Sequence, residues 1–594
     1  MSCFDYPVDS AYIMQKRRAL KRELSAQEGL TEKKIAIVGG STVGEIRTVL
    51  ELFLLHHGIR PVFWEGGYHL YYEDIVFHNP ELEAFAPDLI YIHTTGRNLE
   101  NLPSSANSAA VAQQKLTAEQ QRWQQLWTAA ESFRCPIVQN NFEEPTLRVF
   151  GNADAVMTQG RVHFVREMNR FVSDWAAEHP GFHMQDIAWL ASVAGLDRWC
   201  DESSWHLYKY APAPELIPTL CQNLAYIIKS VFGKNKKALA LDLDNTLWGG
   251  VIGDDGPEGV HLGEEDAEGR AYSAFQSYLK EVSGLGVMLN VCSKNEESIA
   301  REGFRRTDSV LKNEDFLCFA ANWEPKPFNL TEMARQINIG VGDIVFVDDN
   351  PAERTLVRGQ LPAVPVPELT EPEAYARVLD RSGYFEVTAF SEDDRKRNQM
   401  YKENAQRAAA EQQFTDYGDY LRSLQMKAAI GPFAPALLPR VTQLINKTNQ
   451  FNLTTRRYTE EEVRACMEDE DCITVCGRLE DKFGDNGLIS AMIGRCSGET
   501  AEIELWIMSC RVFKRDMEQA MFDAFVAEAV RRGCRSIRGV WKRTAKNALV
   551  RELYEQMGFT VTEDGEEERR FALSLTPPPA VKNQVIKVVP LTAE

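Results

Sequence analysis

Short apolar runs of strand length, each ending in glycine or polar residues and followed by an amphipathic helix, recur along most of this chain. This alternation constrains the fold more than any other feature, because strands that return in parallel through helices build a sheet covered on both faces. KKIAIVGG, from Lys33, reads as a buried strand ending in glycines. EIRTVLELFLLHHG reads as the helix after it, with Val49, Leu50, Phe53 and Leu54 on one face and Gly58 as its stop. RPVFWEG, PDLIYIHTTG and CPIVQNNF are further strands. A second unit opens at Lys236 with KKALALDLDNT, followed by a helix bearing Ala271, Phe275, Tyr278, Leu279 and Val282 on one face, and by the strands VMLNVCSKN and DIVFVDDNPAE. A third unit of the same texture follows.

At roughly 100–200 residues per domain, a chain of 594 residues holds three to four domains. The expected fold class is multidomain α/β, divided into a polar, partly helical lead-in over 1–30, α/β domains over 31–230, 233–380 and 425–574, a connecting helix over 381–424, and a loose tail over 575–594. Within the connection, SEDDRKRNQMYKENAQRAAAEQQ is charged and free of glycine and reads as an exposed helix.

The net charge of −20 opposes nucleic acid as a general partner and simple adsorption to an anionic membrane, since both need a basic footprint. No stretch reaches the ~18 continuous apolar residues of a membrane span, and the N-terminus carries no apolar core of a signal peptide. The twelve cysteines are scattered, without CxxC or Cys/His metal spacing, which fits reduced thiols. A cytoplasmic location is expected.

Three polar clusters stand at strand ends of the second unit, where open α/β sheets bind ligands. Asp242 and Asp244, two apart, can divide nucleophilic attack and proton transfer between them. Ser293 in NVCSKN offers a hydroxyl to a phosphoryl oxygen, and Asp348 and Asp349 add carboxylates that, with Asp242, make an oxygen-only Mg²⁺ site. Lys326 in EPKP places a positive charge between the second and third clusters.

DxDxT, then Ser, then Lys, then DD resembles the haloacid dehalogenase (HAD) superfamily. The resemblance implies Asp242 as nucleophile and Asp244 as general acid/base. It implies Asp242, Asp244, Asp348 and Asp349 around Mg²⁺, with Asn245, Thr246, Ser293, Lys294 and Lys326 on the substrate. The longer strings LDLDNTLWGGVIGDDG, VCSKNEE, KTNQFNLTTRRY and MSCRVFKRDME resemble the FkbH-like family over about 235 to 574. That resemblance implies a HAD domain of subfamily IIIC with a Rossmann-like fold, followed by an acyltransferase-like domain of the GNAT type. It also implies a reaction: 1,3-bisphosphoglycerate loses its acyl phosphate, and the glyceryl group passes through an enzyme thioester to the phosphopantetheine thiol of an acyl carrier protein, in polyketide and other natural-product assembly. The alternative is a HAD phosphatase acting on a small phosphorylated metabolite or sugar.

The thioester needs a cysteine. Cys510 is favoured over Cys292, because Arg511, Lys514 and Arg515 can lower its pKa and attract the phosphate of a carrier arm. Active GNAT enzymes carry a cofactor loop Q/R-x-x-G-x-G/A; here Lys514 and Asp516 stand at the glycine positions. The domain therefore reads as a scaffold for the arm, with Arg456, Arg457, Lys542, Arg543 and Lys546 as a positive patch. In the first domain, IVGGST and TTGRN resemble SGNH hydrolase blocks, with Ser41 as nucleophile and Gly96 and Asn98 lining an oxyanion site. Gly40 replaces the usual aspartate and Leu99 the acid after the asparagine, and the nearest Asp/His pair, Asp201 and His206, has the wrong spacing. A docking domain is preferred there to a working esterase.

Overall fold

The computed structural model describes residues 2–390, 395, 397–411, 413–448, 450–509, 512–544 and 547–591. The chain forms two compact units, Met1–Asn235 with Arg377–Ala389, and Lys236–Ala376 with Phe390–Glu594.

The first unit is built on strands β1 (Thr31–Gly39), β2 (Ile59–Glu65), β3 (Leu89–His93), β4 (Ile137–Asn140) and β5 (Phe182–Gln185), all parallel in the order β2-β1-β3-β4-β5. β1 and β3 sit inside the sheet, and their apolar side chains are buried on both faces. The helix Gly44–His56 buries Ile46, Val49, Leu50, Leu52, Phe53, Leu54 and Leu55, more than one face, because the helices Ser10–Ser25 and Ile217–Val231 also pack against it. The lead-in is thus helical and tied down, its first turn capped by the Asp9 carboxylate on Tyr12 N.

The second unit holds two sheets. Strands β6 (Ala238–Leu241), β7 (Met288–Ser293), β8 (Phe316–Ala321) and β9 (Ile344–Val347) are parallel in the order β8-β7-β6-β9. This Rossmann-like order places β6 between β7 and β9, so three strand ends open side by side. The other sheet contains β10 (Lys427–Gly431), β11 (Phe451–Asn452), β12 (Cys472–Asp481), β13 (Gly484–Ser497), β14 (Thr500–Met508), β15 (Ser536–Lys542), β16 (Thr560–Asp564), β17 (Glu568–Ser574) and β18 (Lys587–Pro590). Its order is β16-β17-β15-β14-β13-β12-β10-β18, with β11 beside β14. It is antiparallel except where β14 meets β15 and β10 meets β18. The helix Met517–Arg531 connects β14 to β15 and lays Phe522 and Phe525 on the core, completing a third α/β domain.

Two expectations change. The tail is not loose throughout: Lys587–Pro590 adds a parallel edge strand to β10, because its backbone satisfies the open edge. The charged helix Arg397–Glu411 is not exposed throughout either. Arg407 is 1% exposed and its guanidinium forks onto both oxygens of Asp481 at 2.7 Å, a pairing that allows the charge to be buried. Among the described residues no helix is long and apolar enough to cross a membrane.

Candidate active site

Parallel strands put all their carboxyl ends at one edge, and β6 and β9 end one residue before acids. Asp242 follows β6 and donates its N–H to Val347 O (2.9 Å); Asp348 and Asp349 follow β9. Carboxylate oxygens of Asp242, Asp348 and Asp349 lie within 4.8 Å of one another. Lys326, the first residue of the helix Lys326–Gln336, reaches into the group, with Nζ 2.8 Å from Asp242 Oδ2 and 2.5 Å from Asp348 Oδ2. Burial alone would lower the Lys326 ammonium, but the carboxylates of Asp242 and Asp348 outweigh burial and raise it. Burial, then the charge of Asp242, pushes the Asp348 carboxyl up to about 7, and the same causes raise Asp349. One ammonium faces three carboxyl groups, and the donors are all oxygen. This set fits a hard divalent cation such as Mg²⁺, which would be held by Asp242, Asp348 and Asp349.

Asp244 departs from the expected metal set. Its oxygens accept from Trp248 Nε1 (2.9 Å), Ile252 N (3.1 Å) and Asn295 Nδ2 (2.8 Å), which hold the side chain in its own loop. Thr246 and Asn245, expected on the substrate, have partners within the protein. Thr246 Oγ1 accepts from Asp349 N (3.2 Å) and donates to Asp349 Oδ1 (3.3 Å), tying the two acidic loops together. Asn245 takes a left-handed backbone, its Oδ1 accepts from Gly250 N, and its carbonyl accepts from the hydroxyls of Tyr272 and Tyr375. Ser293 ends β7, buried at the same sheet edge. Lys294 is drawn to Glu353 (2.6 Å).

Arg354 was not anticipated. It is buried, donates to the carbonyls of Asp348 (2.9 Å) and Asp349 (2.5 Å), and pairs with Glu368 at 2.6 Å, so it clamps the backbone that presents both acids. The string DDNPAER carries the residue but nothing that reveals its direction.

Of the cysteines, Cys292 is fully buried behind the site, and burial raises its thiol well out of the nucleophilic range despite Lys326. Cys510 and Arg511 lie outside the described residues, as does Lys546. Lys514 is exposed, but Arg515 is buried against Asp481 (3.5 Å), Asn404 (2.8 Å) and Asn486 (3.4 Å), so it is not a surface contact for a carrier. The expected positive patch is also largely neutralised: Arg456 pairs with Glu504, Lys542 with Glu568 and Arg543 with Glu567. Arg457 turns inward, and burial lowers it to about 10.

In the first unit, Ser41 follows the glycines that end β1. It is buried, and its Oγ has no hydrogen-bond partner. Among the described residues, no base hydrogen-bonds to it, as a nucleophilic triad would require. Asn98 Nδ2 donates to Gly40 O (3.0 Å), and a side chain at Gly40 would collide with Asn98, its Cβ lying 2.2 Å from Nδ2. Gly96 N donates to Glu143 Oε1 (3.3 Å), which puts a carboxyl where an oxyanion would need a donor. Asp201 accepts from Ser203 N and Ser204 Oγ, and His206 is a surface residue 3.6 Å from Glu202. His93 is buried between Tyr91 OH and Ala211 O (both 2.9 Å), and burial lowers it to about 4.

Residues 34–229 match the family described as FkbH, N-terminal domain. Among solved structures, the chain is similar to the N-terminal part of protein BF1531 from Bacteroides fragilis, which contains a phosphatase domain and was crystallised with Mg. The identity is 28% and the TM-score 0.59, over 63% of this chain and 99% of that one. The ribosomal-protein-S18-alanine N-acetyltransferase from Escherichia coli aligns at 17% identity and a TM-score of 0.21, over 26% of this chain and 98% of its own. No curated protein matches the chain.

Proposed function

We propose that this FkbH-like chain carries a HAD-type phosphatase domain and is a Mg²⁺-dependent enzyme that discharges the acyl phosphate 1,3-bisphosphoglycerate and keeps the glyceryl group for an acyl carrier protein. The observation that carries the reading is the convergence of Asp242, Asp348 and Asp349 on Lys326 at the ends of β6 and β9. Mg²⁺ held by those carboxylates supplies the positive charge that a phosphorylated substrate needs. Lys326 orients Asp242 and Asp348, and Ser293 lies at the same edge to hold a phosphoryl oxygen.

Two bonds of an acyl phosphate can break, and the choice decides the product. If Asp242 attacks phosphorus, the P–O bond breaks and glycerate leaves as a free carboxylate, its activation lost. If a thiolate attacks the carbonyl carbon, the C–O bond breaks, phosphate leaves with the bridging oxygen, and the acyl group is kept as a thioester. The second course suits a carrier substrate, and in it Asp242 orients the acyl phosphate without being phosphorylated. Cys510 supplies the sulfur in this reading; the buried, raised thiol of Cys292 argues against the other candidate. The carrier's phosphopantetheine thiolate then attacks the enzyme thioester and releases Cys510.

The test is incubation of the full chain with 1,3-bisphosphoglycerate, Mg²⁺ and an acyl carrier protein, followed by intact mass spectrometry. A glyceryl adduct on the enzyme that moves to the carrier is expected, absent from Cys510→Ala. Phosphate release with no adduct on either protein would assign the site to plain phosphatase chemistry on a small phosphorylated metabolite.

A further inference from the structure

The GNAT-like fold implies an acyl-coenzyme A ligand, and the residues of this domain do not fit one. β14 and β15 are paired in parallel from Thr500 and Ser536 as far as Ile503 and Gly539. β14 then runs on to Met508 and β15 to Lys542 without further pairing to each other. Two strands that diverge leave inward N–H and C=O groups that need partners once water is excluded. An acyl-pantetheine arm, a chain of amides, could satisfy them.

Here the chain's own residues do so. Phe451 and Asn452 pair antiparallel with Met508 and Ile507. Leu453 N donates to Trp506 O (3.3 Å) and Thr454 Oγ1 to Glu504 O (2.8 Å). On the opposite strand, Lys542 N donates to Leu453 O (2.8 Å). Asn547 Nδ2 locks the arrangement by donating to Asn452 O (2.9 Å) and Lys542 O (2.8 Å). Phe451 and Leu453 are buried in the core, the Phe451 ring 5.9 Å from that of Trp506 and 5.7 Å from that of Phe513. Withdrawing two such anchors would expose buried apolar surface to water, so the segment is a structural wedge, not a loosely seated loop.

The other end of a coenzyme's place is taken in the same manner. Before the helix Met517–Arg531, Lys514 and Asp516 hold left-handed backbones, φ 63° and 61°, at the two positions where the cofactor pattern has glycine. The loop keeps the glycine conformation and fills it with side chains. Asp516 stands at the helix N-terminus, its Oδ1 accepting from Gln519 Nε2 (3.2 Å), and Glu518 lies in the first turn with Oε2 buried and unpartnered. Carboxyl groups therefore occupy the positive end of the helix, which would otherwise attract a pyrophosphate. Burial raises both of these carboxyls, Glu518 to about 7.

We propose that this domain is an acyltransferase fold closed upon itself: residues 451–454 occupy the cleft between β14 and β15, Asp516 and Glu518 occupy the anion end, and neither coenzyme A nor a pantetheine arm enters there. The inference does not depend on the chemistry at Asp242; glyceryl transfer to a carrier and its failure both leave it standing.

Titration of the full chain with acetyl-coenzyme A and with free coenzyme A, by calorimetry, is expected to give no saturable heat up to millimolar ligand. Hydrogen exchange is expected to show the amides of Leu453 and Lys542 protected, at the same rate with and without ligand. Asn547→Ala removes two hydrogen bonds from the wedge and should speed exchange over 451–453 by about tenfold or more while leaving phosphate release unchanged. Saturable binding of acetyl-coenzyme A to the wild type, or rapid exchange of Leu453 in the free protein, overturns the proposal.

Discussion

The carboxyl edges of the two all-parallel sheets offer the same opportunity and use it differently. After β6 and β9, three carboxyl groups crowd around one ammonium, and the imbalance calls for a cation. After β1 and β3, the candidate nucleophile Ser41 lies buried without a partner, while Asn98 and Gly96 spend their donors on Gly40 O and Glu143. Topology supplies the place in both cases. What differs is the charge gathered there: carboxyl groups in excess of the ammonium at one edge, and at the other a neutral buried hydroxyl beside donors already taken by their neighbours.

The contrast can be broken most directly at Asp242. Asp242→Asn is expected to lower Mg²⁺-dependent phosphate release by about a thousandfold or more with an unchanged circular dichroism spectrum; undiminished turnover would remove the distinction between the two edges. Lys326→Met should come next in size. It strands Asp242 and Asp348 buried without their ammonium, a loss of about 3–5 kcal/mol in denaturant unfolding near neutral pH, partly restored by Mg²⁺. A change below ~1 kcal/mol would mean that the ammonium balances little.

A smaller effect comes from pH. Asp348 is raised from 3.8 to about 7 in the folded protein, so between those values the folded state holds a proton that the unfolded chain has released. Stability of the metal-free protein therefore falls as pH rises through that window. Thermal midpoints at pH 5 and pH 8 should show this decline, with Mg²⁺ raising the midpoint at pH 8 and having little effect at pH 5. The reverse order would contradict the assignment of Asp348. The least effect is expected at the other edge: Ser41→Ala removes an unpartnered buried hydroxyl and should leave stability equal or higher by up to ~1 kcal/mol. Hydrolysis of a p-nitrophenyl ester that disappears in this variant would show that the first edge is an active site after all.

The acids at β6 and β9 were legible because strand-end position and residue type both follow from local sequence. Their partners were less so. The resemblance puts Asp244 with the metal, whereas Trp248, Ile252 and Asn295 hold its oxygens, the last from 51 residues away. Thr246 reads as a substrate contact, and its hydroxyl also ties to Asp349, 103 residues on, a pairing no local pattern announces. Arg407 falls in a helix that reads as exposed, and both it and Arg354 are buried by carboxylates or carbonyls that no local pattern announces. Composition also misled: a run of basic residues at 511–515 suggested a surface patch, but Arg515 points inward to Asp481. Sequence periodicity reports which face of an element is apolar; it is silent on which distant group a polar side chain will choose.

The position of Lys326 has a consequence for how such a protein matures. Its ammonium already bridges Asp242 and Asp348, so the newly made chain carries an internal counter-ion at the spot of greatest repulsion. Folding need not wait for a metal to be delivered, and loading becomes a rearrangement of partners within a finished site. Protein made without a divalent cation would then stand folded, its acids already held in place for one.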